Sequence, residues 1–159
     1  MADGLTHARI WTGARQPSQR VGWLKAIWRA LALSAVNYFA WPFTAYVVQP
    51  SVATAGFNVG RLVIMLWAGY LAVRGAGSRL WGAALAGMAV MMVDHIFLKG
   101  GLFLVQQLRG ERFGQFGENA YLMAFFGVLV SFVMFCPLAG LAGALGGMVG
   151  RRLVANKAA

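Results

Sequence analysis

Charged residues are absent from two long stretches of the chain, 30–60 and 120–150, and two shorter apolar runs lie between them. A hydrophobic run of about 20 residues can cross the hydrocarbon core of a bilayer as a helix. The pattern therefore predicts an all-α membrane domain, 20–152, with helices at about 20–48, 57–74, 80–99 and 120–150. A basic tail, 1–19, and a short tail, 153–159, flank it.

The first predicted helix begins with a segment that has an apolar side and a basic side. Apolar residues recur there at helical spacing on one side, while Lys25 and Arg29 lie on another. This basic N-terminal segment is either a separate interfacial helix or the start of the first span, and both interpretations stay open. The span itself is predicted for Leu31 to Val48, kinked by Pro42 and ended by Pro50.

Helices two and three are predicted to form a hairpin. Arg74 closes the second helix, and Gly75–Ser78 is a tight turn. So short a connection makes the two helices antiparallel neighbours. Gly100 and Gly101 loosen or end helix three, so that 101–108 either continues it or forms a separate surface piece.

The fourth predicted helix is too long to stand upright in a bilayer. Its charge-free stretch, 120–150, would be about 46 Å long as a straight helix. The hydrocarbon core is only about 30 Å thick. We therefore expect this helix to be tilted, broken near Pro137, or extended beyond the membrane.

The amino-acid composition also indicates that the chain lies in a lipid bilayer. Of the 159 residues, 60% are hydrophobic and 11% are charged, against about 25% charged in an ordinary soluble domain. A soluble chain of this length lacks the polar residues to cover its surface, whereas a bilayer accepts apolar side chains. The net charge of +10 comes from basic residues that flank hydrophobic stretches, which favours anionic lipid head groups over nucleic acid as partners.

The basic residues also predict an orientation. The N-terminal segment carries five of them, the turn between helices two and three carries two, and the C-terminal tail carries three. With an even number of spans these ten lie on one side, against four on the other. Basic loops stay in the cytoplasm, so both termini are expected there, with the chain in a bacterial inner membrane.

The charges within the spans are the main candidate site. Asp94, His95 and Lys99 lie near the outer end of helix three, and Arg61 lies at a similar depth on helix two. A carboxylate in lipid needs a partner or water. One interpretation is an Arg61–Asp94 pair that locks two helices. The other is a proton or ion site in which Asp94 titrates and His95 tunes it.

Small residues form a second candidate feature, on helix four. They are spaced to let another helix backbone approach closely, as Gly-x-x-x-Gly rows do. The row consists of Ala139, Gly143, Gly146, Gly147 and Gly150. It predicts packing either inside the monomer or against a second copy or a partner membrane subunit.

Few other polar groups lie at depth. Asn37 and Tyr38 sit mid-span in helix one, where they either line a polar seam or bond to a neighbouring helix. The single cysteine, Cys136, has no partner for a disulfide. The two histidines, His7 and His95, are too few for an intramembrane haem or metal site, so no cofactor or metal is expected. No phosphate-binding loop or nucleophile motif is present either.

Two glycine- and alanine-rich segments, Ala68–Ala72 and Gly82–Gly87, resemble a pattern in small bacterial four-span membrane proteins of unknown function. The ending from Gly143 to Arg152 is similar too. The resemblance covers about a third of the chain. It implies a four-helix membrane fold and carries over no activity and no functional residue.

These patterns favour a non-enzymatic membrane protein. The leading interpretation is an accessory subunit or assembly factor of a membrane complex, since packing faces are present and a catalytic set is missing. The rival interpretation is a small oligomeric transporter or channel with a proton or ion site at Asp94. An enzyme acting on lipid ranks last.

The predicted orientation can be tested with a reporter fused after Ala159. A fluorescent protein that folds only in the cytoplasm should be bright there, because the charge bias places the C-terminus inside. A periplasm-dependent phosphatase at the same position should be inactive. Activity of the fusion only outside the cytoplasm would contradict the orientation.

Overall fold

The computed structural model describes residues 21–101 and 120–156. Within them the chain forms four helices and no strand. They are α1 (Trp23–Val47), α2 (Pro50–Ala76), α3 (Leu80–Met92), which a π-helical segment (Val93–Lys99) continues, and α4 (Ala120–Ala155). The predicted all-α architecture is confirmed for this part of the chain.

Three of the helical stretches are long and apolar enough to cross a membrane. They are Pro50–Ala76, Leu80–Lys99 and Phe125–Ala155. Helix α1 is not among them, because Asn37, Tyr38 and Pro42 interrupt its apolar run. The first of the four predicted spans therefore stays a prediction.

The connection between α1 and α2 is shorter than expected. Only Val48 and Gln49 separate the helices, and α2 begins at Pro50 instead of near Phe57. Proline is accepted in the first turn of a helix, where its missing N–H has no helical partner to lose. Pro50 therefore opens α2 as well as ending α1.

A tight turn joins α2 to α3. Helix α2 ends at Gly77 in the left-handed conformation, with φ 63°, which glycine adopts without a Cβ clash. The amide of Ser78 donates to the carbonyl of Ala72 at 3.1 Å. The chain reverses within three residues, which makes α2 and α3 antiparallel neighbours as predicted.

Helices α2, α3 and α4 meet backbone against backbone at three glycines. A Cβ on Gly69 of α2 or on Gly87 of α3 would collide with the α4 backbone near Gly143. A Cβ on Gly143 would in turn collide with the carbonyl of Ala83. We call Gly69, Gly87 and Gly143 the glycine contact. Such approach is what small residues allow between apolar helices.

The rest of the small-residue row also faces the same chain. Gly146 lies against Leu66, and Gly147 and Gly150 lie against Val73. The carbonyl of Ala139 lies against Gly87. Of the two alternatives for this row, the structure therefore uses it for packing within the chain. Helix α4 is continuous through Pro137, and its 36 residues span about 54 Å.

Helix α1 packs on α2 and aligns the ends of the bundle. The indole N–H of Trp23 donates to the carbonyl of Gly82 at 3.0 Å, and Gly75 lies beside Ala26. The start of α1, the α2–α3 turn and the end of α4 therefore lie together. We call this the basic end, because it carries Lys25, Arg29, Arg74, Arg79, Arg151 and Arg152.

The glycine contact can be tested with a matched pair on α4. Gly143→Ala should destabilise the fold by about 1–3 kcal/mol, because its Cβ would force apart two helix backbones. Gly127→Ala should be neutral or slightly stabilising, since nothing lies within 4 Å of a Cβ there and alanine favours the helix. Unfolding in mild detergent measures both variants. Equal stabilities would contradict the close approach.

Candidate functional site

A buried ion pair joins α2 to the π-helical segment. The side chain of Asp94 is completely buried, and that of Arg61 is 14% exposed. Arg61 Nη2 lies 2.9 Å from Asp94 Oδ2. The tight α2–α3 turn fixes the relative level of the two helices, which is why residues so far apart in sequence meet. Arg61 also donates to the sulfur of Met91 at 2.8 Å.

The π-helical segment buries two ionisable neighbours at once. Asp94 and His95 are adjacent in sequence, and both are at most 1% exposed. π-helical turns are rare and are found frequently at functional sites, where the extra residue re-aims side chains. Here the wider turn directs both groups into the helix bundle.

His95 connects the ion pair to α4 and to Lys99. Its Nδ1 lies 3.2 Å from Arg61 Nη2 and 3.3 Å from Asp94 Oδ2. Its Nε2 lies 3.0 Å from Ser131 Oγ and 3.4 Å from Lys99 Nζ. His95 is therefore the common neighbour of two cations, one carboxylate and one hydroxyl.

Both neutral tautomers of His95 find partners in this arrangement. With the proton on Nδ1, the ring accepts from Ser131 or Lys99 at Nε2, and its N–H lies 3.3 Å from Asp94 Oδ2 without forming a hydrogen bond. With the proton on Nε2, the ring donates to Ser131 and accepts from Arg61 at Nδ1. A hydroxyl can donate or accept, so Ser131 serves either tautomer.

Asp94 keeps unused hydrogen-bonding capacity. Neither of its carboxylate oxygens has a hydrogen-bond partner among residues 21–101 and 120–156, and the same holds for Arg61 Nε. Its contact with Arg61 is therefore coulombic rather than a well-aligned hydrogen bond. A buried polar atom left without a partner costs stability, and such atoms often mark a place where a proton, water or ion is handled.

A cavity of about 400 Å³ opens beside the ion pair, between α2, the π-helical segment and α4. Its polar lining consists of Asn58, Arg61, His95, Lys99 and Ser131. Asp94 is not part of the lining and lies behind Arg61 and His95. We call this space the charged cavity.

The two polar residues of α1 lie elsewhere. Asn37 donates to the carbonyl of Phe57 at 3.3 Å and lines a separate cavity of about 230 Å³. The ring of Tyr38 packs edge-on against Phe57. Neither residue lines the charged cavity, so the predicted polar seam does not run through it.

Ser131 and Asn58 were not among the predicted site residues, although the sequence carries a signal for Ser131. It is the only serine or threonine in the charge-free stretch 120–150, and a lone hydroxyl in such a stretch often bonds to a neighbouring helix. Asn58 had a weaker signal, since it lies one helical turn before Arg61.

Metal binding finds no support in the described residues. They hold no cluster of three His, Cys, Asp or Glu side chains. Cys136 is a partly exposed free thiol. His7, Glu111 and Glu118 lie outside the described residues.

Comparison of the chain with protein-family models, curated proteins and solved structures finds no match. The resemblance to small bacterial four-span proteins therefore stays a prediction.

The structural weight of the ion pair can be measured with neutral replacements. Asp94→Asn should destabilise the fold by about 3 kcal/mol, because it leaves the largely buried charge of Arg61 without its partner. The double variant Arg61→Gln/Asp94→Asn should lose less than the sum of the two single variants. Unfolding in detergent gives the three values.

Arg74→Gln is the matched control for these variants. It removes the same charge from the exposed, basic end of α2 and should change stability by less than about 0.5 kcal/mol. Additive losses from the two site substitutions would contradict direct coupling between Arg61 and Asp94.

Proposed function

We propose that this chain is a four-span membrane protein with both termini in the cytoplasm. The basic end supports this, because it gathers the basic residues of three separate chain segments at one level. The opposite end carries Arg61 and Lys99, so the charge bias has the sign that cytoplasmic retention requires. On this orientation the charged cavity lies toward the outer leaflet.

Its function, we propose, is that of a small transport protein with a proton site at Asp94 and His95. The observation that carries this proposal is a completely buried carboxylate, Asp94, that contacts His95 at 3.3 Å, while His95 in turn lines the charged cavity. Ionisable residues within membrane spans are rare, and they mark proton relays and ion paths. No group in this arrangement needs to form a covalent bond with a substrate.

The histidine offers a defined proton step. A proton from the cavity adds to Nε2 of His95, while the proton on Nδ1 passes to Asp94. The ring stays neutral and changes tautomer, and Asp94 becomes a carboxylic acid. Arg61 then loses its counter-charge and donates to the vacated Nδ1, which is 3.2 Å from Nη2. Return of the proton reverses each change.

A second function is favoured by a different observation. Phe125–Ala155 is the most hydrophobic of the three candidate spans and also the least buried. Toward its start, Phe125, Phe126, Leu129 and Val130 are all exposed. An accessory subunit or assembly factor of a membrane complex would cover this surface with a partner helix. A homo-oligomer would cover it with a second copy.

Copurification in mild detergent separates these functions. A stoichiometric partner that dissociates when Leu129 and Val130 are both changed to serine supports the subunit function. A protein purified alone that still conducts protons supports the transport function.

Proton transfer is tested in liposomes that contain a pH-sensitive dye. After an imposed pH step, the wild-type protein should equalise the internal pH faster than protein-free liposomes. Arg61→Gln/Asp94→Asn should abolish this difference, because it removes the proton-accepting carboxylate without leaving a buried charge unpaired. Thr44→Val is the control, since that hydroxyl bonds to carbonyls of its own helix.

Two results would count against transport. The first is a wild-type rate equal to that of protein-free liposomes. The second is full activity of the double variant, which would leave the Arg61–Asp94 pair with a purely structural role.

A further inference from the structure

The charged cavity changes polarity along the helix axes. On α2, Asn58 and Arg61 precede Leu62 and Met65 in the lining. On α4, Ser131 precedes the apolar residues Phe135 and Leu138, and on the antiparallel α3 the polar His95 and Lys99 follow Met91. The polar lining of all three helices therefore lies at the end away from the basic end. About seven residues on a helix correspond to roughly 10 Å, so the cavity joins a polar mouth to an apolar base.

The polar mouth carries positive charge. Arg61 is balanced by Asp94, but Lys99 adds a second cation. Within residues 21–101 and 120–156, no carboxylate lies within 4 Å of Lys99. A mouth with surplus positive charge selects an anionic group.

The apolar base is open to the side. Leu62, Phe135 and Leu138 line it, and they are 51%, 48% and 57% exposed. In a bilayer these exposed surfaces face lipid chains, so a ligand can enter between α2 and α4 without passing through water. The volume of about 400 Å³ lies within the roughly 300–1,000 Å³ of ordinary ligand sites.

We propose that the charged cavity binds a membrane lipid whose head group carries an oxyanion and a net negative charge. Lys99 and Arg61 hold the oxyanion, and Asn58 and Ser131 supply further polar contacts at the mouth. The first part of the alkyl chain lies along Leu62 and the α4 residues of the base. This proposal rests on the membrane placement given above and adds a ligand class to the charged cavity.

Native mass spectrometry of the full chain in neutral detergent tests the proposal. The probes are phosphatidylglycerol, phosphatidylcholine with identical acyl chains, and inorganic phosphate alone. Phosphatidylglycerol should bind more tightly than phosphatidylcholine by about tenfold, because both carry a phosphate but the choline cation of phosphatidylcholine offsets its charge and would lie near Lys99. Inorganic phosphate should bind far more weakly, because it leaves the apolar base empty.

Two matched pairs of variants locate the site. Lys99→Gln should weaken phosphatidylglycerol binding by about tenfold, whereas Lys25→Gln removes the same charge at the basic end and should not. Leu62→Trp should block the apolar base. Val63→Trp places the same bulk on an exposed neighbour outside the cavity and should leave binding unchanged. All four variants change side chains that are at least partly exposed, so the fold is expected to survive.

Several results would overturn the proposal. One is equal affinity for the two lipids, and another is inorganic phosphate binding as tightly as phosphatidylglycerol. A lipid preference that survives both Lys99→Gln and Leu62→Trp would place the binding elsewhere. Binding that emerges only in Glu111→Gln/Glu118→Gln would show that a loop carboxylate holds the cavity in the wild-type chain.

The binding result is independent of proton transfer. Lipid binding without proton flux would support the lipid site and contradict the transport function. Proton flux without lipid preference would support the transport function and contradict the lipid site.

Discussion

The rest of the structure depends on the glycine contact between α2, α3 and α4. Lipid tails are as apolar as leucine, so no hydrophobic force drives these helices together, and close backbone packing has to hold them. At Gly69, Gly87 and Gly143 the packing leaves no room for a single Cβ. This fixes the level of each helix against the other two. The fixed levels bring Arg61, His95 and Ser131 together from three helices.

The close packing at the glycine contact offsets the free-energy cost of burying charged side chains at the other end of the bundle. Burial of a carboxylate costs free energy unless the group is paired. Asp94 is paired with Arg61 and also lies beside His95, a ring that can carry its proton on either nitrogen. The ring N–H of His95 can face the carboxylate or Ser131, depending on the tautomer, while neither carboxylate oxygen of Asp94 is hydrogen-bonded within residues 21–101 and 120–156. The side chains that stabilise the buried charge are therefore the same ones to which we assign the proposed proton site.

The sequence predicted the parts of this arrangement that local rules control. The short turn after Arg74 was enough to set Arg61 opposite Asp94, and spacing by four was enough to pair His95 with Lys99. Features set by tertiary packing were not predictable. The register of α4 decides that Ser131 meets His95, and no periodicity reports it. The π-helical segment has no sequence signature in Val93–Lys99, and Pro50 fits the end of one helix as well as the start of the next.

The second half of α4 is packed closely against α2 and α3, whereas residues 125–135 are largely exposed. The first half could therefore swing about a point near Gly143. Ser131 lies twelve residues, or about 18 Å, from Gly143 along the helix axis. A swing of about 10° around Gly143 would move the Ser131 hydroxyl by about 3 Å. This displacement equals the present distance between Ser131 Oγ and His95 Nε2. Pro137 lies between Ser131 and Gly143, where it removes one helical hydrogen bond and makes the helix easier to bend. A movement of α4 away from the π-helical segment would separate Ser131 from His95 and would also widen the charged cavity.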